Sequence, residues 1–154
     1  MSLGLMGNQQ EIYMTTNFSA ATRYIGAKLY LYGSELNPRR VEEVLGLKGD
    51  KSFQKGDKFA ALKETRSSGM WSLDFHGDGR TFSEDLIEIL NNIPADLRPL
   101  SNIPGVQSAR ISILLEYNAE FEGINDRSLE IEIDESDIRG ISQLEAQIYI
   151  TYLT

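Results

Sequence analysis

The stretch YIGAKLYLYG, residues 24–33, sets Ile25, Ala27, Leu29 and Leu31 against Tyr24, Gly26, Lys28, Tyr30 and Tyr32. Successive side chains point to opposite faces only in an extended chain, so this period of two demands a strand. Its aliphatic row must be covered, and its tyrosine row looks the other way. One amphipathic strand cannot bury itself. The rest of the chain must therefore supply sheet neighbours and helices with an apolar stripe.

The remaining segments supply both. GMWSLDF is expected as a strand with Trp71, Leu73 and Phe75 on one face and Met70, Ser72 and Asp74 on the other. ARISILLEY turns Ala109, Ile111, Ile113, Leu115 and Tyr117 inward, SLEIEID does so with Leu129, Ile131 and Ile133, and EAQIYITYL closes the chain with Ile148 and Ile150 opposite Tyr149. NAEFEGINDR reads as the hairpin loop between the middle two. LNPRRVEEVLGL carries helix punctuation: Asn37 as cap, Pro38 in the first turn, Gly46 to end it. In TFSEDLIEILNNI, Thr81 and Glu84 form a capping box, and Phe82, Leu86, Ile89, Leu90 and Ile93 make one apolar stripe. Pro94 ends that helix, PADLRPLSNIPG is an irregular or single-turn connector, and DESDIRGISQL predicts a third helix.

The predicted order is β-α-β-α-β-β-α-β, an α+β domain with a mostly antiparallel sheet and helices on one face. Its last six elements match a ferredoxin-like (split βαβ) core, which leaves the first strand and helix as an N-terminal β-α extension. Residues 1–22 read as an arm or lead-in, with Met1–Leu3 set aside as an added remnant, and residues 23–154 as a single domain. The expected core is Trp71, Leu73, Phe75, Phe82, Leu86, Ile89, Leu90, Ile111, Ile113, Ile131, Ile148 and Ile150.

Composition narrows the chemistry. The chain has no cysteine and one histidine, His76, so thiolate chemistry and multi-histidine metal sites are excluded. A net charge of −8 opposes general binding to nucleic acid or anionic membranes. No apolar run reaches the roughly 20 residues of a membrane span, and no secretory signal is visible, so a cytoplasmic setting is expected. The charge is uneven: residues 48–69 carry six Lys/Arg against three Asp/Glu, while residues 116–145 carry ten Asp/Glu against two Arg.

Lys-Gly-Asp-Lys occurs twice, at residues 48–51 and 55–58. The first copy lies near a phosphate-loop spacing, Gly46 to Lys51-Ser52, but it is one residue short and follows a helix instead of a strand. Asp50 and Asp57 would also repel a phosphate. Two Gly-Asp turns with solvated lysines account for the stretch without a ligand, the alternative being a basic contact surface. Asp74, His76, Asp78, Gly79 and Asp85 fall on a calcium-loop template, yet His is a poor calcium ligand and the segment leaves a strand. His76 with Asp74 or Asp78 is a conceivable general base without a recognisable nucleophile. Glu116, Glu130 and Glu132 occupy outward strand positions, where solvation explains them. No metal and no cofactor is expected.

Several short motifs resemble a bacterial family. They are Tyr32-Gly33, Glu35-Leu36-Asn37-Pro38, Leu45-Gly46, Lys55-Gly56-Asp57 and Arg66-x-x-Gly69-x-Trp71. Together they resemble the family catalogued as domain of unknown function 4279, over roughly residues 24–153, with residues 81–153 agreeing in pattern only. The resemblance marks the second Lys-Gly-Asp as the family-like copy and the first as a local addition. It carries over no activity, cofactor or catalytic residue. Small acidic domains of this kind suggest an immunity-protein role against a toxin.

The leading expectation is thus a non-catalytic protein-binding module, immunity-like, meeting a basic protein partner. Tyr30, Tyr32 and Tyr149 would anchor it, with Glu130 and Glu132 steering. An enzyme or ligand-binding domain using a pocket near His76, and a homo-oligomeric structural domain, stand as alternatives.

Overall fold

The computed structural model describes residues 4–6, 11–13, 22–59, 64–76, 80–117 and 133–153. Within the expected lead-in, β1 (Gly4–Met6) and β2 (Glu11–Tyr13) pair antiparallel. The main body follows as β3 (Thr22–Gly33), α1 (Pro38–Leu45), β4 (Lys51–Phe53), β5 (Gly69–His76), α2 (Phe82–Asn91), β6 (Ser108–Tyr117), α3 (Glu135–Leu144) and β7 (Gln147–Leu153). Two single 3₁₀ turns, Ala95–Leu97 and Leu100–Asn102, make the connector before β6.

The helices begin and end where the punctuation placed them. Asn37 accepts the Arg39 N–H at 3.0 Å, Pro38 opens α1, and Gly46 closes it at φ 68°. Thr81 and Glu84 bond each other's backbone N–H in a complete capping box. A second box, Asp134 with Asp137, starts α3. Each such cap satisfies amide groups that the first turn leaves without a helical partner.

The five described strands of the main sheet lie in the order β4-β5-β3-β6-β7. β3 runs antiparallel to both β5 and β6, β4 is antiparallel to β5, and β6 and β7 are parallel, so the sheet is mixed. This corrects the expected wiring. The strand assigned to an N-terminal extension is the central one, and β5 and β6 flank it as the two strands of a split βαβ unit closed by α2. The physical reason is that β3 gives one edge to β5 and the other to β6, a choice of neighbours that is made in space and not by the local sequence. The expected strand SLEIEID lies outside the described residues, apart from its last two: Ile133, which is buried, and Asp134, which caps α3.

Ala27, Leu29 and Leu31 of β3, Trp71 and Phe75 of β5, and Ile111, Ile113 and Leu115 of β6 form one core with Val41 and Leu45 of α1, Phe82, Leu86 and Ile89 of α2, and Leu144 of α3. Trp71 is completely buried, as its facing required. Leu73, Leu90, Ile148 and Ile150 are only partly buried at the core's margin, and Ile131 lies outside the described residues. On the opposite face Met70, Ser72 and Ser112 are buried as well, so that face is not simply open. Cross-strand neighbours explain it: Met70 sits between Phe53 and Tyr32, Ser72 between Lys51 and Tyr30, and Ser112 between Lys28 and Tyr149.

Strict alternation breaks at one point in β3. The β3–β6 register slips between Tyr24 and Gly26, leaving Ile25 as an extra residue in a bulge. A bulge re-aims the side chains on one side of it. Tyr24 therefore turns into the core, 5 % exposed, and its ring meets Phe82 edge-on at 6.4 Å, while Ile25 is the partly exposed residue.

Candidate functional site

With Tyr24 removed, the outer face of the sheet carries Tyr30 and Tyr32 of β3 and Tyr149 of β7. The rings of Tyr30 and Tyr32 stack at 5.9 Å with 14° between their planes. β6 runs between these strands, and its Arg110, directly opposite Tyr30 in register, holds the group together. The Arg110 guanidinium lies 3.9 Å from the Tyr149 ring centre and 5.3 Å from that of Tyr32. Arg110 alternates with inward Ala109 and Ile111, so period two already placed it outward; its role escaped notice because no spacing tells which strands are neighbours.

Two ion pairs flank the cluster, Lys28–Asp74 at 3.8 Å and Arg23–Glu116 at 2.6 Å. Burial holds the Tyr32 hydroxyl above its ordinary range, against the opposing pull of the Arg110 charge. It remains a neutral hydrogen-bonding group at physiological pH. The Tyr149 hydroxyl donates to Gln147 Oε1 at 3.2 Å. Glu130 and Glu132, expected to border this face, lie outside the described residues.

The lysine-rich stretch resolves into structure. Lys48, Lys51, Lys55 and Lys58 are all exposed. In the first copy, Gly49 lies against the indole of Trp71: a Cβ there would stand 2.3 Å from Nε1. The Asp50 N–H donates to Ser72 O, the Asp50 carboxylate accepts the Asp74 N–H at 2.6 Å, and Glu42 accepts the Gly49 N–H at 2.7 Å. These bonds link the segment that follows α1 to α1 itself and to β5. In the second copy, Asp57 caps the turn by accepting the Gln54 N–H at 2.7 Å, and Lys55 pairs with Glu35 at 3.4 Å.

Family-like positions far apart in sequence meet here. Gly56 N–H donates to Arg66 O and Arg66 N–H to Asp57 O, so Lys55-Gly56-Asp57 and Arg66 form two sides of one hairpin. The Arg66 guanidinium is clasped between Phe53, 4.0 Å from the ring centre, and Phe59, 3.6 Å. Gln54 reaches Asn37, the cap of α1, at 3.4 Å. Gly33 and Gly69 are paired in register beneath it. Arg66→Ala should cost about 1–2 kcal/mol in urea unfolding, the worth of a partly desolvated cation between rings. Arg66→Lys should recover only part of that, because a point charge cannot stack as a planar guanidinium does.

His76 is exposed at the end of β5, and Asp78 and Gly79 lie outside the described residues. Asp85, considered only for calcium, is wholly buried in the first turn of α2. It accepts the Tyr24 hydroxyl through Oδ2, and its Oδ1 lies 3.1 Å from Arg80 Nε. That pairing depends on the bulge, which sequence periodicity could not reveal. Among the described residues no group of three or more His, Asp or Glu could hold a metal ion, and no helix is long and apolar enough to cross a membrane.

A family model described as "Domain of unknown function (DUF4279)" matches residues 21–154. No curated protein and no solved structure matches the chain.

Proposed function

Since the chain belongs to the DUF4279 family, whose name assigns no activity, we propose from the site itself that it is a non-catalytic protein-binding module whose interface is the outer sheet face. The observation that carries this reading is the convergence of Tyr30, Tyr32 and Tyr149 around Arg110. Tyrosine and arginine dominate binding energy at the centres of interfaces, because each offers a large contact area with a polar tip. Strand backbone holds all four side chains, so little ordering is needed on association.

An immunity-type protein that occupies a toxic partner in the bacterial cytoplasm is the sharper form of this reading. The net charge of −8 supports it by favouring fast, steered association with a partner of positive net charge. The same reading takes SLEIEID as a further strand, which gives the β-α-β-α-β-β-α-β order with β4 as an additional short strand and sets Glu130 and Glu132 as an acidic border.

Affinity capture from an extract of the native host tests the proposal. Wild-type protein should retain a specific protein partner. Tyr30→Ala should speed its dissociation by at least about 30-fold, the effect of a 2 kcal/mol hot spot. Binding left unchanged by Tyr30→Ala and Tyr149→Ala, with melting also unchanged, would remove this face as the interface.

A further inference from the structure

We propose that the group this face receives from its partner is the carboxylate of an Asp or Glu side chain, docked on Arg110; the inference rests on the outer face being the interface. It concerns the local contact and not the partner's net charge.

The other cations near the cluster are accounted for. Arg23 has Glu116 and Lys28 has Asp74, while Lys51 is exposed to water. Arg110 is different. Among the described residues it forms no ion pair, and its Nε is buried without a hydrogen-bond partner. A buried guanidinium nitrogen left in that state carries a desolvation cost that a bound acceptor would remove. The flanking rings of Tyr149 and Tyr32 attract the cation through their faces, but a ring face is no substitute for an oxygen acceptor. They hold the guanidinium plane in place, which is the costly part of building a bidentate receptor.

Among anions, a carboxylate fits best. Its two oxygens match the guanidinium fork, and one negative charge suits one cation that has no ion pair among the described residues. A nucleic-acid backbone would bring many phosphates to a protein of net charge −8, and beside Arg110 both Arg23 and Lys28 are already paired with carboxylates. A basic side chain would meet Arg110 as a like charge.

Selection of a random peptide library with amidated C-termini on the intact protein tests this. Recovered peptides should be enriched in Asp or Glu. Their binding should fall at least tenfold on Arg110→Gln and recover little on Arg110→Lys. Lys51→Gln, which removes a cation from the same face, should leave binding within about twofold, and melting curves should confirm that each variant folds. Basic or neutral peptides that still depend on Tyr149 and Tyr30 would overturn the carboxylate and leave the interface standing. Recovery of no peptide that depends on Tyr149 or Tyr30 would overturn both. Acidic peptides indifferent to Arg110→Gln would overturn the assignment to this residue.

Discussion

Gly33→Ala is expected to destabilise the protein by about 3 kcal/mol or more, the upper end of what overpacking costs. At Gly33 a Cβ would stand 1.8 Å from the carbonyl oxygen of Gly105, a backbone atom with no rotamer to escape through. The close approach joins the end of β3 to the turn before β6, and Gln107 N–H donates to Tyr32 O at 2.8 Å beside it. Adding a methyl group forces one of these segments away and breaks the register that β3 shares with β6. The urea midpoint should fall by roughly 1–3 M. Gly46→Ala is the comparison. It lies in open space at φ 68°, so only backbone strain of about 1 kcal/mol is expected. Equal effects of the two substitutions would mean that the close contact at Gly33 relaxes at little cost, since Gly33 has no left-handed backbone to strain.

Asp85→Ala should cost about 1–3 kcal/mol, the range for leaving a buried polar group without its partner. It leaves the Tyr24 hydroxyl buried without an acceptor and takes from Arg80 its buried counter-ion, although Glu88 still holds the guanidinium at 2.6 Å. Asp85→Asn should cost less at neutral pH, because the amide oxygen can still accept from Tyr24. The two proteins should then diverge with pH. Burial pushes the Asp85 carboxyl above its ordinary value, while the Tyr24 hydrogen bond and the Arg80 charge pull the other way without reversing it. A carboxyl with a raised folded-state pKa binds its proton more tightly when folded. Its contribution is therefore fully present below the unfolded pKa of about 3.9 and is lost as pH rises through the folded value. Wild type should accordingly gain on Asp85→Asn as the pH is lowered from neutrality, in paired urea titrations. A constant difference, or one that narrows toward acid, would show that the pair dominates over burial.

Much of the architecture was legible in the residues alone. Alternation in residues 24–33, 69–75 and 109–117 placed strands and chose their buried faces, because side-chain direction in a strand is local. The caps at Asn37 and Thr81 and the stop at Gly46 were legible for the same reason: each involves atoms within a few residues of one another. The family motifs could be read as a set but not understood, since Arg66 meets Lys55-Gly56-Asp57 and two phenylalanines only once the hairpin closes.

Sheet order was decided by tertiary structure alone. The sequence order places β3 outside the core unit, whereas it lies at the centre of the sheet, because strand pairing depends on which edges meet in space and no local preference records that. The same holds for the binding face. Period two grouped Tyr30 and Tyr32, but only the β3-β6-β7 neighbourhood brings Tyr149 and Arg110 to them. The bulge at Ile25 then moved Tyr24 from that face into the core beside Asp85, where a buried hydroxyl needs an acceptor and a buried carboxylate needs a donor. One extra residue in one strand reverses every facing before it, and the slip shows only in the register between β3 and β6.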